Sequence, residues 1–123
     1  MLTLSVVPDV LVICRLERDA VIPAWATGEF VSITRTSDEL SIVCAERDVP
    51  SDVKADRDWQ ALKIEGPLDL SLTGVLASIA MPLAEAKINI FAISTFDTDY
   101  VLVKADRVAE AIGVLRNAGH HVK

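Results

Sequence analysis

Ile93-Ser94-Thr95-Phe96-Asp97-Thr98-Asp99-Tyr100-Val101-Leu102-Val103 is the stretch that decides the fold. Two β-branched and aromatic runs flank an acidic turn, which is the signature of a β-hairpin. The same pattern stands half a chain earlier: Ser32-Ile33-Thr34-Arg35-Thr36-Ser37-Asp38-Glu39-Leu40-Ser41-Ile42-Val43 lines up with residues 92–103 at a constant offset of 60. In that alignment Ile33 meets Ile93, the hydroxyl of Thr34 meets that of Ser94, and acidic Glu39 meets acidic Asp99. A hairpin written twice implies a repeated unit, and the unit sets the architecture.

Working outward, residues 2–7 read as a strand and Pro8-Asp9 as a turn. Residues 10–17 alternate as a second strand, giving an N-terminal hairpin. Between residues 18 and 28 only a short helical piece around Pro23-Ala24-Trp25-Ala26 is expected, because proline suits a first helical position. Pro50-Ser51-Asp52 offers a weaker helix start. Residues 61–65 are a strand ended by Gly66-Pro67. A helix follows over residues 73–86, with Val75, Leu76, Ile79, Leu83 and Ala86 on one apolar stripe. Thr73 or Ser71 is its candidate cap, and Pro82 inside it implies a kink or break near residues 78–81. After the second hairpin, Asp106 opens a last helix striped by Val108, Ala111, Ile112 and Leu115, which Gly119 stops. His120-His121-Val122-Lys123 reads as a frayed stub.

From residue 61 onward the order is therefore βαββαβ, the ferredoxin-like pattern. The first half has the same skeleton with shortened helices and no fourth strand in sequence order. Residues 2–7, hairpinned onto residues 10–17, are expected to fill that place. The fold class is α+β: two ferredoxin-like units packed together, residues 1–60 and 61–123.

With 123 residues, of which 51% are apolar, the chain can bury one shared core. A lone unit of roughly 60 residues would be marginal. Twelve basic residues are scattered among 18 acidic ones, for a net charge of −6. Phosphate backbones and anionic membrane surfaces call for clustered Lys and Arg, so neither nucleic acid nor membrane is an expected partner. No apolar run reaches the ~20 residues of a membrane span, no basic leader is visible, and a cytoplasmic location is expected. Cys14 and Cys44 lie in apolar strands without a C-x-x-C pair, as buried reduced thiols do.

The chain resembles the ACT domain family, and most of all the small tandem-ACT proteins related to the CASTOR-type amino-acid sensors of animals. Three runs carry the resemblance: Phe30-Val31-Ser32-Ile33-Thr34-Arg35-Thr36; Thr73-Gly74-Val75-Leu76 with Met81-Pro82-Leu83-Ala84-Glu85-Ala86; and residues 93–103. The resemblance implies a regulatory module that binds a small ligand, usually an amino acid, where two ACT units meet. It places the ligand between the loop opening the first helix (Asp69, Leu70, Ser71, Leu72, Thr73, Gly74, Val75) and a strand end (Ile93, Ser94, Thr95, Phe96, Asp97, Asp99). The chain is far shorter than the animal sensors and has one tandem pair where they have two. Whether one chain or a homodimer completes the site stays open.

A zwitterion requires an anion site beside a cation site. The helix start near Leu72-Thr73-Gly74 offers unpaired amides and a positive dipole end. Asp69, Asp97 and Asp99 are candidate partners for the ammonium, Ser94 and Thr95 for orientation, and Phe96 for a side-chain pocket. By local chemistry alone Thr73-Gly74 is an ordinary helix start and Asp97-Thr98-Asp99 an ordinary turn.

Catalytic signatures are missing: there is no H-E-x-x-H, G-x-S-x-G, Walker loop or Rossmann fingerprint. No enzyme activity, cofactor or metal is expected. The expected function is amino-acid binding and regulation through a dimer. The alternative is a ligand-independent interaction module that pairs through sheet edges.

Overall fold

Turn chemistry places the strands. In the computed structural model, which describes residues 1–66 and 73–123, the elements are β1 (Thr3–Val6), β2 (Leu11–Leu16), β3 (Ser32–Arg35), β4 (Leu40–Ala45), β5 (Ala55–Ile64), α1 (Val75–Glu85), β6 (Phe91–Ser94), β7 (Asp99–Lys104), α2 (Val108–Asn117) and β8 (His121–Val122). Both expected hairpins are present, β3–β4 and β6–β7. Their closing pairs are Arg35 with Leu40 and Ser94 with Asp99, so the structural offset is 59 residues, one less than the alignment by letters. Thr36 and Thr95 are the equivalent residues. Each donates its N–H to the carbonyl three residues on (Glu39 at 2.9 Å, Thr98 at 2.8 Å). Each also accepts that residue's N–H on its hydroxyl, at 3.2 and 3.3 Å. This is a side-chain turn of the kind Ser and Thr favour.

The chain divides into two compact units: Asp9–Trp59, and Met1–Pro8 together with Gln60–Lys123. In the first, the strand order is β3-β4-β2 and then the beginning of β5, all antiparallel. Leu11 faces Trp59, but Ile13 faces Asp56, so one extra residue bulges out of β5. Asp58 takes up this bulge at φ 64°, and its N–H is held by Glu46 Oε1 at 2.8 Å. The expected helical pieces near Trp25 and Pro50 are turns. Proline and small polar residues there start a turn, but neither segment presents an apolar stripe long enough to sustain a helix.

That unit's core gathers Val12, Cys14, Leu40, Ile42, Cys44 and Val49. Both cysteines are buried and unpaired. Burial is the main cause that pushes the Cys14 thiol up to about 11, with Cys44 adding to it; burial also raises Cys44. Because the thiolate is the reactive form, Cys14 is expected to react with a disulfide reagent at pH 8 at least ~100-fold more slowly in the native protein than in urea. Equal rates would mean that this core opens freely.

The second unit runs β5-α1-β6-β7-α2-β8 in chain order, with one change. β1 lies between β5 and β8, antiparallel to the first (Leu4 opposite Ile64) and parallel to the second (Leu4 opposite Val122). The N-terminal hairpin of residues 2–7 on residues 10–17 does not form. The first unit's fourth strand is supplied by the start of β5, so β1 was not needed there. Leu4 carries it into the other core. That core joins Leu4, Leu62, Ile64, Val101, Val103 and Val122 from the strands to Ile79, Leu83, Ala111 and Leu115 from the helices. Alternation along β5 and β7 puts these side chains on one sheet face, under the helices, and turns Lys63 and Tyr100 to the other.

Both helix starts differ from expectation. Gly74 precedes α1 at φ 76°, a left-handed conformation natural for glycine; Thr73 does not cap it. A 3₁₀ turn, Ala105–Arg107, leads into α2. Gly119, at φ 95°, follows α2 as anticipated. Pro82 leaves α1 unbroken. Proline removes the N–H that would bond to the carbonyl four residues before it, which is that of Ser78. Here His120 Nε2 lies 3.1 Å from that oxygen. The expected frayed stub is ordered: His121 and Lys123 donate their N–H groups to Leu2 and Leu4 carbonyls at 2.8 and 2.9 Å.

Candidate functional site

The β6–β7 turn sits where β5 ends. Thr98, 6% exposed, donates its hydroxyl to the Ile64 carbonyl, fixing the turn to the last residue of β5. Thr98→Val preserves shape but removes that hydrogen bond to the Ile64 carbonyl. It is expected to cost ~1–3 kcal/mol, read as a lower urea midpoint; an unchanged midpoint would show that the hydroxyl is dispensable.

Between this turn and the end of β5 lies an open pocket of about 390 Å³, lined among the described residues by Lys63, Gly66, Thr95, Asp97, Thr98 and Tyr100. Small-molecule sites commonly span ~300–1,000 Å³. One cation and one anion thus border the same space, with two hydroxyl-bearing turn residues and a phenol. Beyond the end of β5, Lys123 Nζ stands 3.0 Å from Glu65 Oε1. The hydrogen bond from Lys123 is the main cause holding the Glu65 carboxyl below the usual carboxylate range, with Lys63 contributing. The sign follows from that lowering. The pairing is present above the ordinary carboxylate pKa and is lost as pH falls through the lowered one.

Of the residues expected from sequence, Thr95 and Asp97 line the pocket. Ile93 and Ser94 lie in β6 and Asp99 begins β7, opposite Ser94, outside the described lining. Phe96 is 80% exposed at the turn's tip, so it does not wall a pocket among the described residues. Thr73, Gly74 and Val75 stand at the start of α1, also outside that lining. Asp69, Leu70, Ser71 and Leu72 lie outside the described residues. Lys63 and Tyr100 escaped the sequence reading. Lys63 had left a signal: a charge inside the apolar run Ala61-Leu62-Lys63-Ile64.

The described residues gather no three His, Cys, Asp or Glu side chains that could hold a metal ion. Among them, no helix is long and apolar enough to cross a membrane.

A sheet with two helices on one face and a pocket at a hairpin turn is a build of the mixed α+β class. The ACT domain family model matches residues 54–117, and the chain belongs to the ACT domain family. A model of an N-terminal domain matches residues 10–52. A crystal structure of an Agobacterium tumefaciens protein is 42% identical, with a TM-score of 0.93, over 99% of this chain and 92% of that one. The cytosolic arginine sensor for mTORC1 subunit 1 of Bos taurus is 32% identical over 102 residues, 76% of this chain. The match spans only 31% of that sensor's length. The ligand-free regulatory subunit of aspartate kinase from Thermus thermophilus shares the fold, with a TM-score of 0.61 at 14% identity over 89% of this chain and 93% of that one.

Proposed function

We propose that this chain is a tandem pair of ferredoxin-like ACT units, residues 1–60 and 61–123 with β1 lent to the second, that binds an amino acid and regulates without catalysis. The observation that carries the reading is the opposed pair Lys63 and Asp97 in one small pocket. Lys63 would take the α-carboxylate and Asp97 the α-ammonium, each through a charge-assisted hydrogen bond. Thr95 and Tyr100 would orient the backbone of the ligand. Asp69 to Val75, Ile93, Ser94, Phe96 and Asp99 complete the proposed site. The tandem reading is supported by the two hairpins, whose turns share one hydrogen-bond pattern at an offset of 59.

The ligand regulates by favouring whichever state binds it better, and only by that difference in affinity. A cytosolic place and an amino-acid ligand accord with the relative described as a cytosolic arginine sensor. A homodimer is the proposed assembly. β3 and β6 each pair on one side only among the described strands, and such edges invite a further strand. That same observation supports the second reading, a ligand-independent interaction module.

A thermal-shift screen against the common amino acids at millimolar concentration tests the proposal. A ligand at ~100 times its Kd adds about 2.7 kcal/mol of stability, a shift of several degrees in a domain of this size. Native mass spectrometry then separates the readings. A dimer whose stability answers to no amino acid favours the interaction module.

A further inference from the structure

We propose that His120 is a proton-sensitive clasp that holds the N-terminal strand in the second unit's sheet. Its imidazole touches two elements distant in sequence. Nδ1 accepts the N–H of Leu2 at 3.1 Å, and Nε2 faces the Ser78 carbonyl of α1 at 3.1 Å. A backbone N–H can only donate and a carbonyl can only accept. The two contacts therefore select one form of the ring: Nδ1 bare, Nε2 protonated, and no net charge. The other neutral tautomer would set two donors face to face at Leu2 and two acceptors face to face at Ser78.

The Ser78 contact has a cause in the sequence. Pro82 deprives that carbonyl of its helical partner, and the imidazole supplies a donor there. This bond survives protonation, because Nε2 keeps its hydrogen. The Leu2 bond does not survive. A second proton on the ring occupies Nδ1, turns the acceptor into a donor, and opposes the Leu2 N–H. Histidine is, among side chains, the one whose ordinary charge change falls between pH 5 and 8.

The bond that opens lies at the entrance to β1. Leu2 also accepts the His121 N–H at 2.8 Å, and Leu4 accepts that of Lys123 at 2.9 Å. These are the bonds of the short parallel pairing of β1 with β8. The charged and titratable groups on the adjoining elements are the Met1 amino group, Glu85 on α1, Arg107, Glu110 and Arg116 on α2, and His121 and Lys123 at β8. Arg107 pairs with Glu110, Lys123 with Glu65, and Arg116 bonds the Val122 carbonyl. Among the described residues no carboxylate hydrogen-bonds to the imidazole, so none offers a bond to the proton that arrives. The clasp is independent of the amino-acid reading and concerns the fold's response to pH.

The experiment is NMR on the full chain. Long-range proton–nitrogen spectra at pH 8 should show His120 as the Nε2–H tautomer. Between pH 8 and 5.5, the exchange protection of the Leu2 and His121 amides, corrected for intrinsic rates, should fall about tenfold, while that of Leu102 in β7 holds. His120→Gln keeps one acceptor and one donor but does not titrate, and its protection should stay flat with pH; His121→Gln should behave as the wild type does. An Nδ1–H tautomer, or the same pH response in wild type and His120→Gln, would overturn the proposal. The tautomer is read on the unaltered protein, so a variant that fails to fold does not shelter it.

Discussion

Asp97→Ala is expected to weaken amino-acid binding by ~10- to 100-fold, and Lys63→Ala to do the same. Each change removes one of the two charges proposed to hold a zwitterion from a pocket lined by both residues. A hydrogen bond to a charged group is worth ~1.5–3 kcal/mol, and every 1.4 kcal/mol is about tenfold in Kd. Asp38→Ala is the control. Asp38 holds the place of Asp97 in the β3–β4 turn, where its carbonyl is already taken by the Arg15 guanidinium at 3.1 Å. Calorimetric titration of the three variants with the amino acid found by thermal shift should single out Asp97 and Lys63. If all three bind as the wild type does, the pocket is not the site. If Asp69→Ala is also silent, the site expected from the sequence fails with it.

The largest effect on stability should come from Leu4→Ala. Leu4 is fully buried and packs in the core that joins β1, β5, β7, β8 and the two helices. Truncating a leucine in such a place removes transfer energy and leaves a cavity, ~2–5 kcal/mol together. Val10→Ala should change stability by no more than ~0.5 kcal/mol, since Val10 is 43% exposed. Urea unfolding separates the two. Equal, small effects would mean that β1 is loosely held and that the second unit stands without it.

The hairpins were legible because their information is local. A threonine, an aspartate two positions later and a return to strand-forming side chains mark the turn in both copies, Thr36 with Asp38 and Thr95 with Asp97. The offset was misread by one because matching letters, Ile33 with Ile93, outweighed the hydrogen-bonding residues Thr36 and Thr95, which set the true register. Both main helices were readable from their apolar stripes. The place of β1 was not readable. Leu2 to Val7 is a plausible strand anywhere, and only the later half of the chain reveals a gap between β5 and β8 that accepts it. The site divides in the same way. Thr95, Asp97 and Tyr100 belong to one hairpin, whereas Lys63 joins them through the pairing of β5 with β7, and a single sequence does not display which strands are neighbours. His120 looks like an end residue in the sequence because its two partners, Leu2 and Ser78, lie 118 and 42 positions away.

The pairing of β1 with β8 also bears on the order in which the molecule is assembled. Strands β2 to β5, and the β6–β7 hairpin, find partners close in sequence. β1 is made before β8, yet one of its edges is matched only by β8. The long loop from β1 to β8 must close before that edge is satisfied, with an entropic cost that rises with its length. Contacts of such long separation slow folding. On a ribosome β1 therefore waits, with that one edge unpaired, until β8 has been made. In that interval the strand is the segment most exposed to pairing with a neighbouring nascent chain.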